Sequence, residues 1–111
     1  MITRQPDIEA YIRFLTTAEG GRRSDARTGY RASHNFGDAG QFYEAQHEYP
    51  DYEIVPLGET VLARIWFFAP EFQEGQLAQG DLFTIHERGL VGKGRIAKVL
   101  CEAMHRARVP A

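Results

Sequence analysis

Asp7-Ile8-Glu9-Ala10-Tyr11-Ile12-Arg13-Phe14-Leu15-Thr16 sets Ile8, Ala10, Ile12 and Phe14 on one side of an extended chain and Glu9, Tyr11 and Arg13 on the other. Successive strand side chains point to opposite faces, so this alternation predicts a strand with one face buried. Moving outward from it, Thr60 to Ala69 is rich in β-branched and aromatic residues, and Leu82 to Glu87 and Leu90 to Leu100 flank a turn at Arg88-Gly89. Two weaker runs, Arg31 to Phe36 and Gln41 to Glu48, bring the count to about six strands. Eleven glycines punctuate these runs. Many short strands between Gly-rich turns favour an all-β barrel or sandwich. Only Ile96 to Arg108 shows helical periodicity, and its first half competes with a strand ending at Leu100.

At 111 residues, 43% apolar and 25% charged, the chain has the composition of one globular domain with one core. The expected layout is a flexible N-terminus at 1–6, a barrel at 7–100, and a C-terminal tail at 101–111 that could hold a short helix. This size excludes a multidomain enzyme. No run reaches the roughly 18 apolar residues of a membrane span. Arg4, Asp7, Glu9 and Arg13 stand where a signal peptide needs an apolar core. Cys101 has no partner for an internal disulfide. A cytoplasmic protein without membrane contact is expected. Residues 38–87 hold ten acids and one base, −9, and the remaining residues hold 12 bases and five acids, +7, which could give a polarised surface.

Gly89-Leu90-Val91-Gly92-Lys93-Gly94 is no phosphate loop, because only two residues separate its first glycines and no Ser or Thr follows the lysine. Gly92 and Gly94 instead share one face of a strand, where a missing side chain permits a bend or a close approach. His34, His47, His86 and His105 form no HxH or HxxxH pair, and neither Ser24 nor Ser33 sits in a nucleophile elbow. No catalytic residue, metal or cofactor is therefore expected, and an enzyme would need His34, His47 or His86 to meet a carboxylate in a pocket. The run Glu19-Gly20-Gly21-Arg22-Arg23 followed by Arg27 and Gly29-Tyr30-Arg31 has two readings. Arginine forks suit phosphate oxygens and Tyr can stack, whereas Asp25 would make the same loop a solvated set of ion pairs.

Asp7 to Leu100 resembles the C-terminal barrel, domain 3, of bacterial elongation factor Tu. The residues carrying the resemblance are Glu19-Gly20-Gly21-Arg22, Gly29-Tyr30-Arg31, Val55-Pro56-Leu57-Gly58-Glu59-Thr60-Val61, Phe83-Thr84-Ile85-His86-Glu87, and Val91 through Leu100, in the family's order and spacing. The resemblance implies a closed six-stranded antiparallel Greek-key barrel with a short C-terminal tail. It implies neither GTP binding nor hydrolysis, since the family's GTPase domain has no counterpart in these residues. In the family this barrel meets the T stem of aminoacyl-tRNA and packs against proteins. The corresponding RNA-binding candidates are Arg22, Arg31, Arg88 and Gly89, with Arg23 and Lys93 as neighbouring cations and Arg95 and Lys98 in support. Two family contacts are replaced, by Ala69 and Ser33.

If Val61, Ala63, Ile65 and Phe67 face the interior, then Leu62, Arg64, Trp66 and Phe68 face outward, where the family tends to carry Glu or Thr at the first three. This strip is a candidate protein interface, which could also pair two copies; alternatively, the tail with Met104 and Val109 folds over it. The expected function is a non-enzymatic binding module engaging a protein, or tRNA, of the translation apparatus. The alternative is a decoy or immunity-type protein that mimics the elongation factor's surface toward a toxin or phage product.

Overall fold

A computed structural model describes residues 3–38 and 40–106. Eight strands are present among these residues: β1 (Ile8–Phe14), β2 (Ala26–Arg27), β3 (Arg31–Asn35), β4 (Tyr43–Glu48), β5 (Ile54–Val55), β6 (Thr60–Phe67), β7 (Leu82–His86) and β8 (Leu90–Val99). Six of them close a barrel in the order β1-β6-β4-β3-β7-β8, with every pairing antiparallel. Strands β3, β4 and β6 run side by side and β7 returns beside β3, which is the Greek-key connection. The barrel and its six principal strands are thus as expected. The two-residue strands β2 and β5, which pair Ala26 with Val55, were not visible in the pattern because two residues carry no period.

Alternation decides which side chains enter the core. Ile8, Ala10, Ile12 and Phe14 of β1 are fully buried, as are Ala63 and Ile65 of β6, with Val61 and Phe67 nearly so. Strand β8 breaks this rule twice. Glu9 opposes Lys98 while Ala10 opposes Ile96, so Ala97 has no partner on β1. Ile85 opposes Gly92 while His86 opposes Leu90, so Val91 has none on β7. Each extra residue is a bulge that bends the strand and resets its faces, which curves β8 enough to close the barrel. The first bulge explains the helical periodicity that competed with a strand ending at Leu100, and the strand is what forms; residues 107 and 108 of that run lie outside the described ones. Ile96 and Val99 are both buried at a spacing of three because Ala97 is bulged, not because the chain is helical there. Beyond it the only helical turn among the described residues is a 3-10 turn at Glu102–Met104.

The chain ends are tied to the barrel where they are described. The Asp7 backbone oxygen accepts from Leu100 N at 2.9 Å and from Cys101 N at 3.1 Å. Met104 is buried, and the segment around it exchanges backbone hydrogen bonds with Gly75 and Leu77. As far as Arg106 the tail therefore runs along the 75–77 loop; Val109 lies outside the described residues.

Gly94 shows why a residue without a side chain stands in β8. It opposes Ile12 on one neighbour and Phe83 on the other, and an added Cβ would come within 2.4 Å of Phe83 Cζ and 2.9 Å of Ile12 Cγ2. Phe83 cannot swing aside, since its ring packs against His34 and Phe36 at centroid distances of 5.7 and 5.1 Å. Gly94→Ala is expected to cost about 2 kcal/mol through overpacking. Gly89→Ala, where nothing lies within 4 Å, should leave stability almost unchanged. Urea midpoints of the two variants at pH 7 test this contrast.

Candidate interaction surfaces

The glycine-arginine loop is built by local chemistry at the end of β1. Thr16 caps a 3-10 turn at Thr17–Glu19, and the Glu19 side chain answers with a bond from the Thr16 N–H, a capping box. That backbone donor, followed by Arg13 and the Thr16 hydroxyl, holds the Glu19 carboxyl at about 2. Gly20 then takes the left-handed conformation at φ 88°, and Gly21 passes so close to β1 that a Cβ would sit 2.3 Å from the Leu15 carbonyl oxygen.

The turn delivers Arg22 inward rather than to solvent. Its guanidinium pairs with Glu87, stacks over the Tyr30 ring at 4.8 Å, and its Nε donates to Ser24 O at 3.0 Å. Tyr30 Oη donates to the same Glu87 carboxylate at 2.5 Å. Burial, followed by that carboxylate, pushes the Tyr30 hydroxyl's pKa upward, so it remains a donor at neutral pH. Arg22 and the Glu87-Arg88-Gly89 turn therefore converge, and Arg23, Arg88 and Gly89 are exposed.

The other RNA-binding candidates lie elsewhere. Arg31 begins β3, opposite Gln46, with its guanidinium 4.2 Å over the Phe68 ring and 3.8 Å from Glu44. Lys93 sits in β8 between Thr84 and Arg13. The six sequence candidates thus divide among three places, and Arg31 joins the apolar strip instead of the arginine loop.

The strip itself differs from the expectation. Trp66 points away from the core but is only 8% exposed, because Arg4 lies over it and accepts a 2.8 Å hydrogen bond from its indole N–H. Leu62 is half-buried, and Arg64 is half-buried between Glu9 and Glu48. Among the described residues the cover over Trp66 is the N-terminal segment, and the tail as far as Arg106 runs elsewhere. The apolar surface that remains open is centred one strand over. Phe68 (43% exposed) meets Phe42 (51%) and Phe72 (63%) around a cleft of about 250 Å³ also lined by Tyr43 and Glu44. Phe68 is fixed by its N–H bond to Glu44 O at 3.0 Å, and Phe72 stands on a 3-10 turn at Pro70–Gln73. The His86 ring meets Phe42 edge-on at 5.0 Å. Arg31 and His86 therefore frame three exposed aromatic rings. Phe42 and Phe72 were missed because Phe42 stands at the start of the weak run Gln41 to Glu48, one residue ahead of β4, and Phe72 on a turn beyond β6, where periodicity carries no information.

Two histidines read as isolated come together in the core. His34 and His47 are fully buried on the adjacent strands β3 and β4, with their Nε2 atoms 2.7 Å apart. The bonds at either end fix the protons. Ala32 O can only accept, so His34 Nδ1 carries hydrogen and donates at 2.9 Å. His34 Nε2 must then accept from His47 Nε2, leaving His47 Nδ1 to accept from Tyr49 Oη at 2.9 Å. Burial holds the His34 pKa at about 4 and drives His47 well below its ordinary value. Neither ring meets a carboxylate, and His86 bonds Thr84 Oγ1 at 2.7 Å. The geometry suits a structural chain of dipoles, not a proton shuttle to solvent.

Among the described residues, no group of three or more His, Cys, Asp or Glu could hold a metal ion, and no helix is long and apolar enough to cross a membrane. Compared with protein-family models and with curated proteins, the chain matches none of them.

Proposed function

We propose that this chain is a non-enzymatic binding module, related to the third domain of elongation factor Tu, that engages a protein of the translation apparatus through the Phe42-Phe68-Phe72 surface. The observation that carries this reading is the cluster of three exposed phenylalanine rings framed by Arg31 and His86. Exposed aromatics with an arginine are the residue types that anchor protein interfaces. A protein is favoured over tRNA at the family's RNA surface because Arg22 is held by Glu87 and Tyr30 rather than free for phosphate.

The test is a pull-down with purified translation components, comparing the wild type with Phe68→Ala/Phe72→Ala. Retention of a protein component that weakens at least tenfold in the double variant is expected. Retention of none by the folded wild type would overturn the reading. Salt-sensitive binding of aminoacyl-tRNA, abolished by Arg22→Ala/Arg31→Ala, would replace it with the RNA reading.

A further inference from the structure

Strands β1, β7 and β8 carry an open groove of about 640 Å³ that contains none of the three exposed phenylalanines. Its lining includes Arg13, Lys93 and Arg95 and contains no carboxylate. Register explains the arrangement. Arg95 stands between Leu82 and Tyr11, and Lys93 between Thr84 and Arg13, as two adjacent rows crossing the outside of the barrel. Tyr11 is 47% exposed and Leu82 70%. Ile12 is fully buried and Phe83 nearly so, both turned into the core, so the floor between the two rows is the β8 backbone at Gly94, with Tyr11 and Leu82 as its exposed apolar walls. Arg13 is engaged with Glu19 and Gly58 O, whereas Lys93 and Arg95 make no ion pair among the described residues. The groove draws its charge from the basic parts of the sequence outside residues 38–87.

We propose that this groove binds single-stranded nucleic acid, with a base stacked on Tyr11 over the Gly94 floor and the backbone phosphates held by Lys93 and Arg95. The match is of charge and of shape. Two free cations beside an exposed aromatic ring are what a single strand needs, since every base has a face to stack and every link has a phosphate. An acidic peptide is disfavoured by topology. Strands β1 and β8 pair with each other to close the barrel, so this face has no open edge on which an extended peptide could form main-chain hydrogen bonds. The site is separate from the Phe42-Phe68-Phe72 surface, and its failure would leave the reading above standing.

The experiment is fluorescence anisotropy with a labelled twelve-nucleotide oligouridylate at several salt concentrations, with inorganic polyphosphate and a polyglutamate peptide as competing probes. Binding should weaken with salt at a slope of roughly −1.4, two phosphate contacts at about −0.7 each. Lys93→Ala/Arg95→Ala should remove most of that slope, Tyr11→Ala should weaken binding about tenfold with the slope unchanged, and Phe72→Ala should change nothing. All three substituted side chains lie on the outside of the barrel, and a thermal melt confirms that each variant folds. The proposal is overturned if the folded wild type does not bind the oligonucleotide, or if the double variant binds it equally well. It is also overturned if Tyr11→Ala has no effect and polyphosphate competes as well as RNA, or if polyglutamate binds more tightly than RNA.

Discussion

Unfolding free energy is expected to fall by about 3 kcal/mol or more between pH 6.5 and pH 4, through the buried histidines alone. In the unfolded chain both imidazoles titrate near their ordinary value of 6.5; in the fold, burial holds His34 at about 4 and His47 lower still. Between those values the unfolded state binds more protons than the native state, so stability drops as pH falls through that window and is flat above it. His34, held at about 4 against 6.5 in the unfolded chain, supplies the quoted figure by itself. Geometry explains why the native state resists protonation. A proton on His34 Nε2 would confront the hydrogen of His47 Nε2, and one on His47 Nδ1 would force the Tyr49 hydroxyl to turn round, in each case placing a cation in the barrel core.

Urea titrations at intervals from pH 4 to 8 measure the slope. Glu19 enters only at the foot of the window, because a carboxyl lowered from 4.5 to about 2 loses its contribution as pH falls between those two values, so the histidine slope is read between pH 6.5 and 4.5. His34→Leu/His47→Leu should flatten the curve between pH 6.5 and 4.5, whatever it does to stability at pH 7. An unchanged slope in that variant would show that the pair is not the origin of the acid sensitivity.

How far the sequence revealed this architecture depends on what each residue does there. Strand β1 was legible because one face is wholly core and the other wholly outside, so Ile8 through Phe14 alternate without exception. Strand β8 was legible as a strand, but Ile96 and Val99 imitated a helix because a bulge changes the spacing of buried residues and leaves no mark of its own in the sequence. His34 and His47 are 13 residues apart and meet only through the β3–β4 pairing, so no local spacing announces them.

The candidate surfaces follow the same logic. Outward-facing positions on β6 could be assigned from alternation, and Phe68 does stand exposed, yet Trp66 is covered by a segment whose position no period specifies. Arg22 was recognisable as an arginine beside two glycines. Its commitment to Glu87, 65 residues later, was not. The charge imbalance along the chain, by contrast, had a spatial counterpart in the carboxylate-free groove of Arg13, Lys93 and Arg95.

Asp7→Ala should be the other severe lesion, about 3 kcal/mol, because one side chain at the mouth of β1 joins three parts of the fold. Its buried carboxylate accepts the Phe67 N–H at 2.8 Å and pairs with Arg4. Arg4 in turn donates to Phe67 O at 2.7 Å and accepts from the Trp66 indole. Removing the carboxylate strands the N–H of a buried residue and releases the segment that covers Trp66. Because Arg4 is 42% exposed, water can solvate it after the change, which keeps the loss below that of a wholly buried pair. Trp66 is the single tryptophan of the chain, so the structural consequence has its own signal. Native-state fluorescence of Asp7→Ala should shift to the red as the indole becomes wet, while urea unfolding reads the stability. Arg4→Ala should reproduce part of both effects, and the double variant should cost less than the two singles added, since each single already breaks the shared contact. Additive losses with unshifted fluorescence would show that the N-terminal segment stays in place without Asp7, and that the cover over Trp66 does not depend on it.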